Sequence, residues 1–122
     1  NGFVTYSNGA KQKMLGVSQK TLADYGAVSE AVAREMAEGA LRQAQADLAI
    51  SVSGIAGPGG AVPGKPVGTV CFGFARKHGR GSVVETVTKR FRGDRDAVRR
   101  AAVRYAITGL YSMASKGSLY SQ

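Results

Sequence analysis

The chain has 122 residues, a formal net charge of +9 and an apolar fraction of 43%, which suits one globular domain with a single core. No apolar run approaches the ~20 residues that cross a bilayer, and the single cysteine, Cys71, excludes an internal disulfide framework. The charge points to anionic partners: nucleic acid, phosphorylated small molecules, or a solvated basic surface.

Residues 2–6 carry two aromatic and two β-branched side chains and read as a strand. Ser7 or Asn8 then offers an N-cap for a short helix through Leu15, which Gly16 ends. Tyr6 closes the strand and Lys11 lies one turn into the helix, so both can face the crevice beyond the strand's carboxyl end. The helix dipole and burial would each disfavour a charged Lys11, and a neutral lysine beside a hydroxyl is a usable general base. The alternative is a solvated lysine on an amphipathic helix.

Ser18 to Tyr25 reads as a second short helix with Gly26 after it. Ser29 caps a third helix, on which Val32, Met36, Ala40, Leu41 and Ala44 recur at helical spacing. Alanines at 33, 37 and 40 allow close approach to a sheet. Met36 is read as core.

Leu48 to Val52 is a short apolar run of buried-strand character, and Thr69 to Ala75 is a second one. Between them lies a loop with six glycines from Gly54 to Gly68 and the three prolines Pro58, Pro63 and Pro66. Such a loop leaves backbone N–H groups bare for an anion or polar ligand, unless it is a plain surface connection. It is no P-loop: Pro66 stands where Ser or Thr would bind magnesium, and a strand follows. The Gly54–Gly59 spacing likewise misses the dinucleotide fingerprint.

Residues 77–81 turn the chain back into Ser82–Phe91, an alternating strand that makes an antiparallel hairpin at the sheet's edge. His78 at its tip is read as a solvated turn residue, and Cys71 as a buried thiol. Asp94 caps the last helix, whose buried stripe is Ala97, Val98, Ala101, Ala102, Tyr105 and Ala106. Arg92, Arg95 and Arg99 surround its N-terminus, either as a phosphate site or as a basic solvated face. The tail beyond Ser115 is expected to fray. No zinc, RNA-recognition or helix-turn-helix signature accompanies the basic residues.

Several segments in this order resemble the CinA C-terminal domain, the nicotinamide-nucleotide amidase family. They are Phe3-Val4-Thr5-Tyr6-Ser7-Asn8 with Ala10-Lys11, Leu15-Gly16-Val17, and Gly26-Ala27-Val28-Ser29-Glu30. Three more are Ser53-Gly54-Ile55-Ala56-Gly57-Pro58-Gly59-Gly60, Lys65-Pro66-Val67-Gly68-Thr69-Val70, and Gly93-Asp94-Arg95 with Val98-Arg99. The resemblance implies an α/β fold: a three-layer α/β/α sandwich around a mixed, mainly parallel sheet with an antiparallel hairpin. It implies hydrolysis of nicotinamide mononucleotide to nicotinate mononucleotide and ammonia, with no metal and no organic cofactor. It assigns catalytic roles to Tyr6 and Lys11, assisting a serine hydroxyl. It assigns the substrate site to Ser53, Gly54, Ile55, Ala56, Gly57, Gly59, Gly60 and Lys65, with Arg95 near the phosphate.

Family members carry an earlier strand and an AESCTGG-like segment that supplies the serine. The chain starts after it, at Asn1, so 1–122 is expected to be a single domain lacking that strand, with an open seam in its sheet and no activity alone. Ala61-Val62, Gly64 and Cys71 depart from the family's usual residues and bear on pocket shape and substrate range. A cytoplasmic setting and a homo-oligomer, a dimer first, are expected, with a small nucleotide as partner. The alternative is a non-catalytic nucleotide- or nucleic-acid-binding module related to competence proteins.

Overall fold

The structure is a computed structural model and describes residues 2–5 and 7–119. The elements run α1 (Asn8–Leu15), α2 (Gln19–Tyr25), α3 (Glu30–Ala44), β1 (Leu48–Gly54), β2 (Thr69–His78), β3 (Gly81–Arg90) and α4 (Arg95–Lys116). Each helix start has a local cause. Ser7, Ser18, Ser29 and Asp94 are extended N-caps whose side chains accept from Ala10, Thr21, Val32 and Ala97 N–H. Left-handed Gly16 and Gly117 end α1 and α4.

The sheet is ordered β1-β2-β3, with β2 in the centre. Alternation along β2 divides its side chains between two helical layers. Val70, Phe72 and Phe74 face α4 and form the main core with Val98, Ala102 and Met113. On the other face Ala75 packs with Ala37 and Leu41 of α3. Gly73 lies so close to α3 that a Cβ there would overlap the Ala33 carbonyl. The close approach expected of the small residues on α3 is therefore real, and Ala33 and Ala37 are fully buried. Leu15, Val17, Leu22, Val32 and Met36 make a second core where α1 and α2 cover α3.

The α/β class and the helix–sheet–helix layering are as expected, but the strand directions are not. Both described pairings are antiparallel: Leu48 opposes Arg76 in β1–β2, and Thr69 opposes Arg90 in β2–β3. Parallel neighbours need a long crossover, usually a helix. The chain instead returns from β1 to β2 through a loop without helix. The helices α1–α3 would be the crossover from a strand at residues 2–6, but residues 2–5 form neither helix nor strand, and Tyr6 lies outside the described residues.

Up to Leu119 the tail is better held than expected, and residues 120–122 lie outside the described ones. Helix α4 continues to Lys116; beyond it Gly117 O accepts from Arg76 Nε, and the Glu85 carboxylate accepts from Ser118 Oγ and Leu119 N.

Candidate active site

A cleft of about 770 Å³ runs along the outer edge of β1, which pairs with no strand on that side among the described residues. Residues 2–5 form one wall and Leu48–Gly54 the other; Leu15, Met36 and Ala40 close one face, and Leu110 of α4 lies at the opposite one. Met36 is buried, as a core residue should be, and also floors the cleft. Its helical spacing signals burial and cannot signal the cleft.

Lys11 reaches this cleft from the first turn of α1. It is 8% exposed, and its Nζ donates to the Thr5 carbonyl at 2.9 Å. Burial holds its ammonium below the usual lysine pKa. Of the two readings of Lys11, the structure rejects the solvated one. Its placement depends on how α1 is seated: the Leu15 carbonyl packs directly against the backbone of Gly39 on α3.

Ser53 and Gly54, at the end of β1, line the same cleft. Ser53 Oγ donates to the Ala27 carbonyl at 2.9 Å, so its hydroxyl hydrogen is engaged in holding β1 to the α2–α3 turn. Beyond Gly54 the loop is braced at its base. Ile55 N donates to Thr69 O at 2.9 Å, and Gly68 N donates to Ile55 O at 2.7 Å. Gly68 has φ +95°, and a Cβ there would overlap the Phe91 carbonyl, so glycine is required at this crossing of backbones. Ala56 packs against the main core and Ile55 is buried, whereas Gly59 and Gly60 are exposed.

Lys65 and Arg95 do not line the cleft. Lys65 Nζ donates to Tyr25 O at 2.6 Å, tying the loop to the end of α2. Arg95 Nη1 donates to Gly57 O at 3.0 Å. The loop is thus pinned at two points, with Pro58–Gly64 exposed between them. The structure brings together Lys11, Ser53 and Gly54, and it places Lys65 and Arg95 as clamps on the glycine loop. Tyr6 lies outside the described residues. The Thr5 carbonyl, partner of Lys11, was not legible in the sequence, since a backbone acceptor leaves no residue signature.

The surrounding electrostatics follow from how the carboxylates are used. Glu30 accepts from Thr86 and Thr88, Glu35 from Ser18 N–H and Thr21, Glu85 from Ser118 and Leu119 N–H, and Asp94 from Ala97 N–H. The one ion pair among the described residues is Lys20–Asp24. Most of the positive charge is therefore left without an internal counter-charge. Cys71 is buried, its thiol pushed up by burial, and His78 is exposed at the hairpin, both as read. Among the described residues no group of three His, Cys, Asp or Glu side chains is placed to hold a metal. No helix among them is long and apolar enough to cross a membrane.

The CinA C-terminal domain profile matches residues 1–114. The chain is 58% identical over 112 residues to the nicotinamide-nucleotide amidohydrolase PncC of Escherichia coli K12, covering 90% of this chain and 65% of that protein. It is 53% identical over 114 residues to a putative competence-damage inducible protein of Symbiobacterium thermophilum, covering 87% of this chain and 26% of that one. Among solved structures, the competence/damage inducible protein CihA of Agrobacterium tumefaciens superposes with a TM-score of 0.87 at 43% identity, over 93% of this chain and 68% of that chain. A CinA superfamily protein of Klebsiella pneumoniae gives 0.82 at 46% identity, over 91% and 68%. The chain spans about 65% of the length of the amidohydrolase it matches.

Proposed function

The chain belongs to the CinA C-terminal domain family, and from that premise we propose that it forms the larger part of an amidohydrolase site for a nicotinamide nucleotide. The observation that carries this reading is Lys11: a buried amine with a lowered pKa, at the rim of a cleft that also takes in Ser53 and Gly54.

In the proposed reaction, neutral Lys11 accepts the proton of a serine hydroxyl as the serine oxygen attacks the carboxamide carbon of nicotinamide mononucleotide. Backbone N–H groups of the glycine loop stabilise the oxyanion. The tetrahedral intermediate collapses, Lys11 returns the proton to the leaving nitrogen, and ammonia departs. Water then hydrolyses the ester to nicotinate mononucleotide and regenerates the serine. Tyr6 holds the serine hydroxyl or relays its proton. Arg95 and Lys65 act by shaping the loop, with substrate phosphate drawn by the net positive charge of the chain.

The serine is proposed to come from the segment that precedes this stretch in the family, seated along the free edge of β1. Two observations support that seat. Val52 on the edge strand is 44% exposed, and α4, whose Leu110 lines the cleft, presents Val103, Ile107 and Tyr111, each more than half exposed, at helical spacing. A cytoplasmic setting and assembly as a dimer belong to the same proposal; light scattering tests the dimer. No observation favours the non-catalytic nucleic-acid alternative.

The test is ammonia release from nicotinamide mononucleotide. The 122-residue chain alone is expected to be inactive. A version extended with the preceding segment of the Escherichia coli relative is expected to turn over, and Lys11→Ala in it to be dead while folded. Turnover by the short chain, or survival of activity without Lys11, rejects these roles.

A further inference from the structure

At the opposite end of β2 from the glycine loop, a second concavity of about 620 Å³ lies between the end of α3 and the β2–β3 hairpin. Strand β2 is ten residues long, so at about 3.3 Å per residue the two regions stand on the order of 30 Å apart. Glu38, Arg42 and Gln45 line it from α3; Lys77, Arg80 and Ser82 line it from the hairpin; buried Leu41 is part of its wall.

Three cations and one carboxylate thus line the concavity, with the Arg42 guanidinium lying beside Gly16 at the end of α1. Glu38 stands one turn before Arg42, the spacing of a helical ion pair, yet the single ion pair among the described residues is elsewhere, at Lys20–Asp24. Glu30, Glu35 and Glu85 are held by hydroxyls and amides on other parts of the molecule, and Asp47, whose backbone carbonyl accepts from Lys77 N, lines the neighbouring concavity instead. The C-terminal dipole of α3 opposes an anion here, but its roughly half charge and Glu38 together leave the cations in excess. A second observation concerns Gln45. It caps α3 at φ 50°, ψ 43°, and it is the one non-glycine residue with positive φ among the described residues. The caps of α1 and α4 use glycine in this conformation. A Cβ here costs about 1 kcal/mol, and what glutamine adds in return is a carboxamide on the rim of the cationic concavity.

We propose that this concavity is a binding site for a diphosphate-bearing anion of nucleotide size, separate from the amidase cleft. The volume falls in the range of small-molecule sites, about 300–1,000 Å³. The Arg42 and Arg80 guanidinium forks take phosphate oxygens, Lys77 adds a point charge, and Gln45 and Ser82 supply neutral hydrogen bonds.

The experiment is an amide NMR titration of the ¹⁵N-labelled chain with inorganic pyrophosphate and, separately, with ADP at about 0.1 M salt. Saturable shifts centred on Arg42, Gln45 and Arg80–Ser82 are expected, with the glycine loop unmoved. Arg80→Gln is expected to weaken binding at least tenfold and Arg80→Lys less; Arg80 is exposed, and circular dichroism checks that the fold persists. Equal affinity for the two probes identifies the diphosphate as the recognised group, and tighter ADP binding adds the nucleoside; either supports the site. No saturation by about 10 mM, an undiminished affinity in Arg80→Gln, or shifts spread evenly over Lys89–Arg104 would overturn it.

Discussion

The carbonyl oxygen of Leu15 occupies the place where a Cβ on Gly39 would stand. The last turn of α1 therefore rests on the bare backbone of α3, and α1 carries Lys11 into the cleft. In an open helix Gly→Ala is worth about 1 kcal/mol of stabilisation. Here the obstruction is backbone, which cannot rotate aside. Gly39→Ala is expected to destabilise the chain by about 3 kcal/mol, measured by urea unfolding. A neutral or stabilising result would show that α1 is not seated as described.

Lys11 sets a pH dependence whose sign follows from its lowered pKa. The unfolded chain holds this proton up to about pH 10.4, while the folded chain releases it at a lower pH. Between the two values the unfolded state binds more protons, so stability from this group rises with pH. The burial penalty is fully present below the folded pKa and relieved as pH climbs through it. Lys11→Met is expected to raise stability at neutral pH and to flatten that rise. Chemical denaturation of both forms across pH 7–10 measures it; an unchanged pH slope would contradict the buried charge.

Arg95 is a clamp on Gly57 O through a single charge-assisted hydrogen bond. Arg95→Ala is expected to cost about 1–2 kcal/mol and to speed amide exchange across Pro58–Gly64 more than in the sheet. Lys65→Met, freeing the other anchor at Tyr25 O, should do the same from the far side. Exchange across Pro58–Gly64 left unchanged in both variants would mean the two cations do not hold the loop.

Glu85 ties the segment after α4 to β3 by accepting from Ser118 and Leu119. Glu85→Ala removes these acceptors. Faster carboxypeptidase trimming up to the end of α4 is expected, with the sheet intact by amide exchange. Trimming at the parent rate would show that Gly117 and Arg76 suffice.

The legible parts of the fold were those with local causes. The caps at Ser29 and Asp94 were readable, and Ser7 as one of two candidates, because each side chain bonds an N–H three residues on; Ser18, read as part of the second helix, caps it in the same way. The small residues of α3 signalled close packing because only Ala and Gly let a helix axis come so near a sheet. Cys71 and Met36 were readable as interior from the company they keep. The direction of the strands was not readable in this way. Residues 2–6 have strand composition, but a strand needs a partner edge, and composition names no partner.

The same division holds at the site. The sequence by itself determined that a glycine-rich loop follows a buried strand, that a lysine sits in the first turn of a helix, and that the positive charge far exceeds the negative. Only the tertiary structure decided which polar groups remain for a ligand. Ser53, Lys65 and Arg95 are turned to the carbonyls of Ala27, Tyr25 and Gly57, partners 26, 40 and 38 residues away. A residue type states what a side chain can donate; the partner is chosen by which backbone the fold brings within about 3 Å, and that distance exists only once the layers have packed.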